Sequence, residues 1–422
     1  MTSLSDAASA TEAPRGLRTL PRNVWVLSAA SFLTDISTEM IVNLLPLFLA
    51  NVLGVRTGLI GLIEGIAETT ASLLKVFSGW FSDLLGKRKW LTVLGYGIST
   101  VSKPFLYFAA SWGWVLGVRF ADRLGKGIRT GPRDALVADS TDEHQRGLAF
   151  GLHRAGDTAG AMIGLLVALA VVWAAQAGSM TLERSTFQRI VLISIIPAVL
   201  AVLTLAVGVR DVPAREKREA PRLTLRGFDV RFRRFLVVVV LFTLGNSADA
   251  FLILRAQERG LSVLGVLGML ATFNLIYALV SGPAGALSDR VGRRRLIIGG
   301  WLVYGLLYLG FAAVNAGWQV WVLYALYGVY YGAAEGTARA FVADIVPSEK
   351  RGTAYGVYNA AIGVAALPAS LIAGLLWQGA GAWQGFGASA PFLFGAVLAL
   401  LAVMLFVVWI PAPQPSTGQA GQ

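Results

Sequence analysis

Two runs of ionisable side chains sit inside otherwise apolar stretches, and both follow helical spacing. Asp35, Glu39 and Asn43 recur at i, i+4 and i+8 within SFLTDISTEMIVNLLPLFL. Arg119, Asp122, Lys126, Arg129 and Arg133 recur at intervals alternating between three and four, with Arg123 bordering that stripe. Residues so spaced share one helix face. A carboxylate beside a wet cavity changes its protonation as burial and a nearby arginine compete, which is the chemistry of proton coupling. A cationic stripe favours an anionic or zwitterionic ligand. Glu64, Glu68 and Lys75 share a further face, Lys103 precedes Pro104, and His153, Arg154 and Asp157 form a short cluster. Asn246 with Asp249, and Glu335 with Arg339, follow later in the chain.

The same basic stretch, DRLGKGIRTGPRD (122–134), contains Gly125-x-Gly127-x-x-x-Gly131 and so imitates a phosphate-cradling loop. That motif needs a β-strand before its glycines, and none precedes them here. The chain has no cysteine and only two histidines, His144 and His153. Disulfides and Cys-based metal sites are excluded. No nucleophile–base pair stands out, so neither an enzyme, a metal nor a cofactor is expected.

The elements that position these residues follow from composition. Of 422 residues, 55% are hydrophobic and 14% charged. A soluble protein carries about a quarter charged residues, so the apolar excess must face lipid. Hydropathy predicts twelve transmembrane helices near 24–50, 57–82, 90–110, 113–137, 147–173, 188–208, 235–256, 262–287, 296–314, 318–342, 353–377 and 390–411. They divide into two six-helix bundles, 24–208 and 235–411, joined by a basic linker at 209–234 and flanked by tails at 1–23 and 412–422. The net charge of +12 gathers in the tails, the linker and alternate loops, whereas loops such as NAGWQ (315–319) hold no basic residue. The positive-inside rule then places both termini and the linker in the cytoplasm, which accounts for the charge without a nucleic-acid partner.

The halves repeat one another. GWFSDLLGKRK (79–89) answers GALSDRVGRRR (285–295), and ALVADSTDEHQRGLAFG (135–151) answers AFVADIVPSEKRGTAYG (340–356). The offset is 206 for Asp83 and Asp289 and 205 for Arg146 and Arg351. This register makes the glycine-basic stretch the fourth helix, with Gly127 opposite Gly332 and Asp139 opposite Asp344. Duplicated units of this kind enclose a site near the membrane midplane.

From about 24 to 411 the sequence resembles the major facilitator superfamily. The loop motif of that family is read twice, as Gly79…Asp83-Leu84-Leu85-Gly86-Lys87-Arg88 and as Gly285…Asp289-Arg290-Val291-Gly292-Arg293-Arg294. Its fourth-helix motif is matched by Arg123-Leu124-Gly125-Lys126-Gly127. Its antiporter motif is matched in part by Gly151, Gly160 and Gly164, with Ala161 in place of proline. The resemblance implies an all-α polytopic transporter working by alternating access, with Gly79, Asp83, Gly86, Arg88, Gly285, Asp289, Arg290, Gly292 and Arg293 as conformational latches.

Two readings of the intramembrane charges stay open. In one, they pair to hold the bundle together: Glu64 or Glu68 with Lys75, Glu335 with Arg339, Asp157 with Arg154. In the other, Asp35, Glu39, Asp249 and Arg123 carry proton coupling. The cavity would then be lined by Asn43, Arg119, Lys126, Asn246, Asn274, Tyr277, Tyr327, Tyr331 and Glu335. The expected partners are a small organic solute, protons and the lipid bilayer, and the expected state is a monomer. Export by proton antiport is the favoured reading, uptake by symport of an organic anion or metal-chelate is the alternative, and a non-transporting receptor is the rival of another class.

Overall fold

The computed structural model describes residues 16–86, 88–212 and 223–411, except for the side chains of 285–290, 335, 336 and 349. The two tails and the centre of the linker lie outside the described residues, as does Lys87.

Among the described residues the chain is helical throughout, with no strand. The amino-terminal half contains α1 (Arg22–Val52), α2 (Thr57–Leu85), α3 (Arg88–Ser102), α4 (Trp112–Ser140), α5 (Arg146–Gln176) and α6 (Arg184–Gly208). The carboxyl-terminal half contains α7 (Val230–Glu258), α8 (Val263–Val291), α9 (Arg293–Ala313), α10 (Gly317–Ile345), α11 (Arg351–Gln378) and α12 (Ala390–Trp409). Eight of these are long and apolar enough to cross a bilayer; α2, α3, α4 and α10 are not among them. Large apolar side chains such as Val101, Leu166, Ile196, Leu279, Leu306 and Val408 stay exposed. Water does not tolerate so much apolar surface on a monomer, and lipid does. The protein is an integral, multi-pass membrane protein.

Three departures from the expected helices have local causes. Near its end α1 distorts into a π-helical turn at Phe48–Val52, two residues past Pro46. Helix α3 tightens to a 3-10 helix at Lys103–Phe108, where Pro104 removes a backbone donor. The seventh helix, predicted as one run, breaks between Gly245 and Ala250. Asn246 there adopts φ −98° and ψ 84°, and Tyr304 Oη donates to the Gly245 carbonyl at 3.1 Å. Ser37-Thr38-Glu39 of α1 and the similar triplet Ser247-Ala248-Asp249 of α7 thus differ in backbone: the first is helical and the second is not.

Within the halves, α1 packs on α5 and α6, α2 and α3 on α4, α8 on α10, and α9 on α10 and α12. The halves meet along α2 with α11, and α5 with α8. On the face away from the chain ends this seam is shut. Thr57 Oγ1 donates to the Gly374 carbonyl at 2.9 Å, and Arg56 Nη2 to the Gln378 carbonyl at 2.7 Å. The amides of Asn51 and Gln257 bond reciprocally at 2.9 and 2.8 Å. Glycine makes the approach possible, since a Cβ on Gly61 would stand 2.1 Å from the Ser370 carbonyl oxygen.

Gly61→Val should therefore force α2 away from α11. With Thr57→Cys and Gln378→Cys in this cysteine-free chain, a pair already in hydrogen-bond reach across the seam at 2.8 Å, oxidative cross-linking should fall severalfold in the Gly61→Val background. Unchanged cross-linking would mean that the seam does not depend on that contact.

Candidate functional site

The charges of α4 do not act as one stripe; they fan out to three neighbours. Arg119 is buried and its Nη2 donates to Glu64 Oε2 on α2 at 2.6 Å. One turn on, Arg123 Nη2 lies 3.5 Å from Glu68 Oε1. Both residues sit four apart on each helix, and α2 and α4 run the same way, so the pairs form two rungs between them. Arg129 turns to α3, bonding Ser99 Oγ at 2.9 Å and lying 4.3 Å from the Tyr96 ring centroid. Arg133 pairs with Asp134 at 2.8 Å and reaches Ser31 of α1. Lys126 alone of the α4 cations makes no ion pair or hydrogen bond among the described residues, and it is exposed.

What it faces is a cavity between the halves, in two connected parts. The inner part, of about 420 Å³, is lined by Glu39, Asn43, Glu64, Arg123, Asn246, Asp249 and Tyr327, with a wall of α11. The outer part, of about 570 Å³, is lined by Asp35, Lys126, Arg129, Arg133, Asn274 and Tyr277. Glu39, Glu68, Ser72 and Tyr331 line both. The outer part opens towards the face where α1 begins, where Lys75, Arg154 and Arg339 form an exposed rim. Across that rim Arg154 donates to Tyr277 Oη at 3.0 Å.

Most expected cavity residues are thus brought together. Arg119 is not: it is 2% exposed and held by Glu64, touching only a small void beside Lys103 and Asp122. Glu335 lies outside the described side chains. The tyrosines divide between two roles. Tyr324 is 1% exposed and packs on Phe273 at 4.9 Å between centroids, whereas Tyr277 and Tyr331 reach the cavity.

The expected scaffold pairs also change. Glu64 and Glu68 meet arginines of α4 rather than Lys75, and Asp157 lies 3.7 Å from His153. The signal that could have found the true partners is the matched four-residue spacing, 64/68 against 119/123. Three cavity carboxylates, Asp35, Glu39 and Asp249, have no ion-pair partner among the described residues. Glu39 accepts only from Asn43, at 2.9 Å. Lys103, buried, donates to Ser37 Oγ at 2.7 Å and Thr38 Oγ1 at 3.0 Å, tying α3 to α1 just behind Asp35 and Glu39.

The loop motifs sit on the face where the chain ends lie. Gly86 caps α2 at φ +62°, and Gly292 stands before α9 at φ +90°, conformations that favour glycine. Arg88 Nη2 binds Asp83 at 2.5 Å and its Nη1 binds Asp139, so one guanidinium ties α3 to α2 and α4. Gly79 lies where α4 comes closest, against Gly131. In the second copy Arg293 binds Asp344 and the Ala340 carbonyl. By sequence offset Arg294 is the counterpart of Arg88, yet it bonds backbone carbonyls of α12 and its following residue instead. Gly285 lies within α8, and the side chains of Asp289 and Arg290 lie outside the described residues.

Comparison with known proteins bears on the whole arrangement. The Major Facilitator Superfamily model matches residues 27–274 and 235–422. An uncharacterised MFS-type transporter of Methanocaldococcus jannaschii is 34% identical over 397 residues, covering 92% of this chain and 95% of that one. The multidrug resistance protein MdtG of Enterobacter lignolyticus is 24% identical over 324 residues, covering 74% and 75%. Among solved structures, a bacterial homologue of the human lysosomal transporter Spinster, inward-facing and occupied, superposes with a TM-score of 0.74 at 17% identity, over 92% of this chain and 96% of that one. The two repeats, the cavity between them and these matches lead to one conclusion: the chain belongs to the major facilitator superfamily and is a transporter of that family.

Proposed function

We propose that the protein is a proton-coupled transporter that moves a small organic solute by alternating access, in the cytoplasmic membrane and with both chain ends in the cytoplasm. One observation carries the coupling: of the cavity carboxylates, Glu64 and Glu68 are each committed to an arginine, while Asp35, Glu39 and Asp249 are not. Ionisable groups inside a membrane are functional by default when no partner of opposite charge occupies them, which leaves these three for the coupling role. The face where the cavity opens also carries the arginines at the starts of α7 and α9, and the positive-inside tendency assigns that face to the cytoplasm. Export in exchange for protons is the preferred direction, supported by the similarity to a protein named for multidrug resistance.

The outer cavity favours a solute with an anionic group. Six basic side chains line it (Lys75, Lys126, Arg129, Arg133, Arg154, Arg339) against four acidic ones (Asp35, Glu39, Glu68, Asp157). Lys126, unpaired and exposed, is the cation available to such a group, with Tyr277 and Tyr331 on the opposite wall. This balance also keeps symport of an organic anion as the second reading.

Three results would test these assignments. In proteoliposomes, flux of at least one member of a solute panel should follow an imposed pH gradient. Asp35→Asn and Glu39→Gln should remove the gradient-driven part while leaving exchange at equal pH; flux indifferent to the gradient would end the coupling proposal. Lys126→Ala should weaken binding of anionic solutes by about tenfold, a single charge-assisted contact, with thermal stability preserved. Arg119→Ala should instead lower stability by about 3–5 kcal/mol, the effect of stranding a buried partner charge, and a stable Arg119→Ala protein would contradict its packing role.

A further inference from the structure

A second pocket, of about 390 Å³, lies outside the central cavity, between the starts of α7 and α9 and the end of α10. It shares no lining residue with either part of that cavity. Its polar wall is Arg231, Arg293, Arg294 and Arg295 with one carboxylate, Asp344; Val291, Phe341 and Ile345 supply an apolar wall. Arg293 is taken up by Asp344 and the Ala340 carbonyl. The other three guanidinium groups have no carboxylate partner among the described residues. Arg294 bonds only carbonyl oxygens, of Ile410 at 2.9 Å and Val407 at 3.4 Å. Arg231 lies 6.0 Å from the Phe341 ring centroid, and its buried Nε has no hydrogen-bond partner. Arg295 is exposed.

The internal repeat supplies a control. At the matching end of the amino-terminal half, Arg88 is neutralised by Asp83 and Asp139. There Asn23 closes the gap between helix ends by donating to Ser140 Oγ and the Arg210 carbonyl, both at 2.9 Å. Arg210 N–H returns a bond to Asn23 Oδ1 at 2.9 Å. Among the described residues, one half has a plugged end whose arginine meets two carboxylates; the other has a pocket in which three arginines meet none.

We propose that the open pocket binds the phosphodiester headgroup of an anionic phospholipid. Guanidinium forks match phosphate oxygens in pairs. The pocket sits beside the end of α12 at Trp409, the depth at which aromatic residues mark the headgroup layer. Basic clusters at that depth attract anionic lipids. The chemistry of the polar wall is that of phosphate in general; the apolar wall of Val291, Phe341 and Ile345 assigns the ligand to lipid, because it fits a glycerol ester and has nothing to offer inorganic phosphate.

The test uses the full-length protein in neutral detergent, with cardiolipin, phosphatidylglycerol, phosphatidylcholine and inorganic phosphate as separate probes. Native mass spectrometry reads retained lipid, and thermal unfolding reads stabilisation. Cardiolipin and phosphatidylglycerol should be retained and should raise the unfolding midpoint; phosphatidylcholine and phosphate should do neither. Arg231→Ala with Arg295→Ala should weaken anionic-lipid binding roughly thirtyfold, the loss of two interfacial cations. Arg231→Gln with Arg295→Gln, which keeps the polar surface, should do the same. Arg22→Ala with Lys89→Ala, an equal charge removal on the other half, should leave binding intact. Equal loss in this control, undiminished binding in both pocket variants, or matching effects of phosphatidylcholine would overturn the proposal. Saturation by phosphate alone would overturn the lipid assignment.

Discussion

Glu64 with Arg119, buried, and Glu68 with Arg123, at the cavity wall, join α2 to α4 by two rungs, and the site depends on this ladder. It lets a fourth helix with poor hydropathy lie inside the bundle, because each buried guanidinium meets a carboxylate at a matching height. It also commits Glu64 and Glu68 to arginines, leaving Asp35, Glu39 and Asp249 as the cavity carboxylates without an ion-pair partner among the described residues. By fixing α4 against α2, it leaves Lys126 one turn beyond the upper rungs, facing the cavity without a partner.

Much of this was legible in the sequence, for reasons that differ by residue. Hydropathy and the repeat located the helices because apolar length and internal register are local, additive signals. They placed the charged fourth helix correctly only through its apolar counterpart at 325–344. Side-chain partners were harder. Lys75 looked like the mate of Glu64 and Glu68 because it shares their helix face, but a parallel neighbour offering arginines at the same spacing outcompetes a contact within one helix. Arg119 shared the stripe of Lys126 and was expected in the cavity. Small rotations of face along a helix decide such cases, and no single-helix pattern reports them. The break at Asn246–Asp249 escaped notice because no proline marks it; Tyr304, distant in sequence, satisfies the freed carbonyl.

The duplicated halves have divided their labour. The first supplies nearly all the ionic chemistry of the cavity, and the second an aromatic wall with an interrupted helix whose bared backbone faces the same space. Ions and irregular backbone at membrane depth are both tolerated only where protein or a wet cavity surrounds them. Their facing arrangement brings both together in the cavity between the halves. The divergence extends to the chain-end face, where the first repeat places two carboxylates on Arg88, whereas among the described residues Arg231, Arg294 and Arg295 of the second half meet none.

One regularity in the ion pairs bears on how the molecule moves. Among the described residues, every salt bridge joins groups of the same half, whereas the ties between halves are hydrogen bonds with an uncharged partner: Asn51 with Gln257, Thr57 and Arg56 with α11 carbonyls, Arg154 with Tyr277. Parting opposite charges in a medium of low dielectric is expensive, while exchanging a hydrogen bond to an uncharged acceptor for one to water costs less. Each half is accordingly bound within itself by strong, short-ranged attraction and to its partner by weak, replaceable contacts. Rocking one against the other leaves the ionic framework of both untouched, so the work of switching falls on the seam and whatever occupies it.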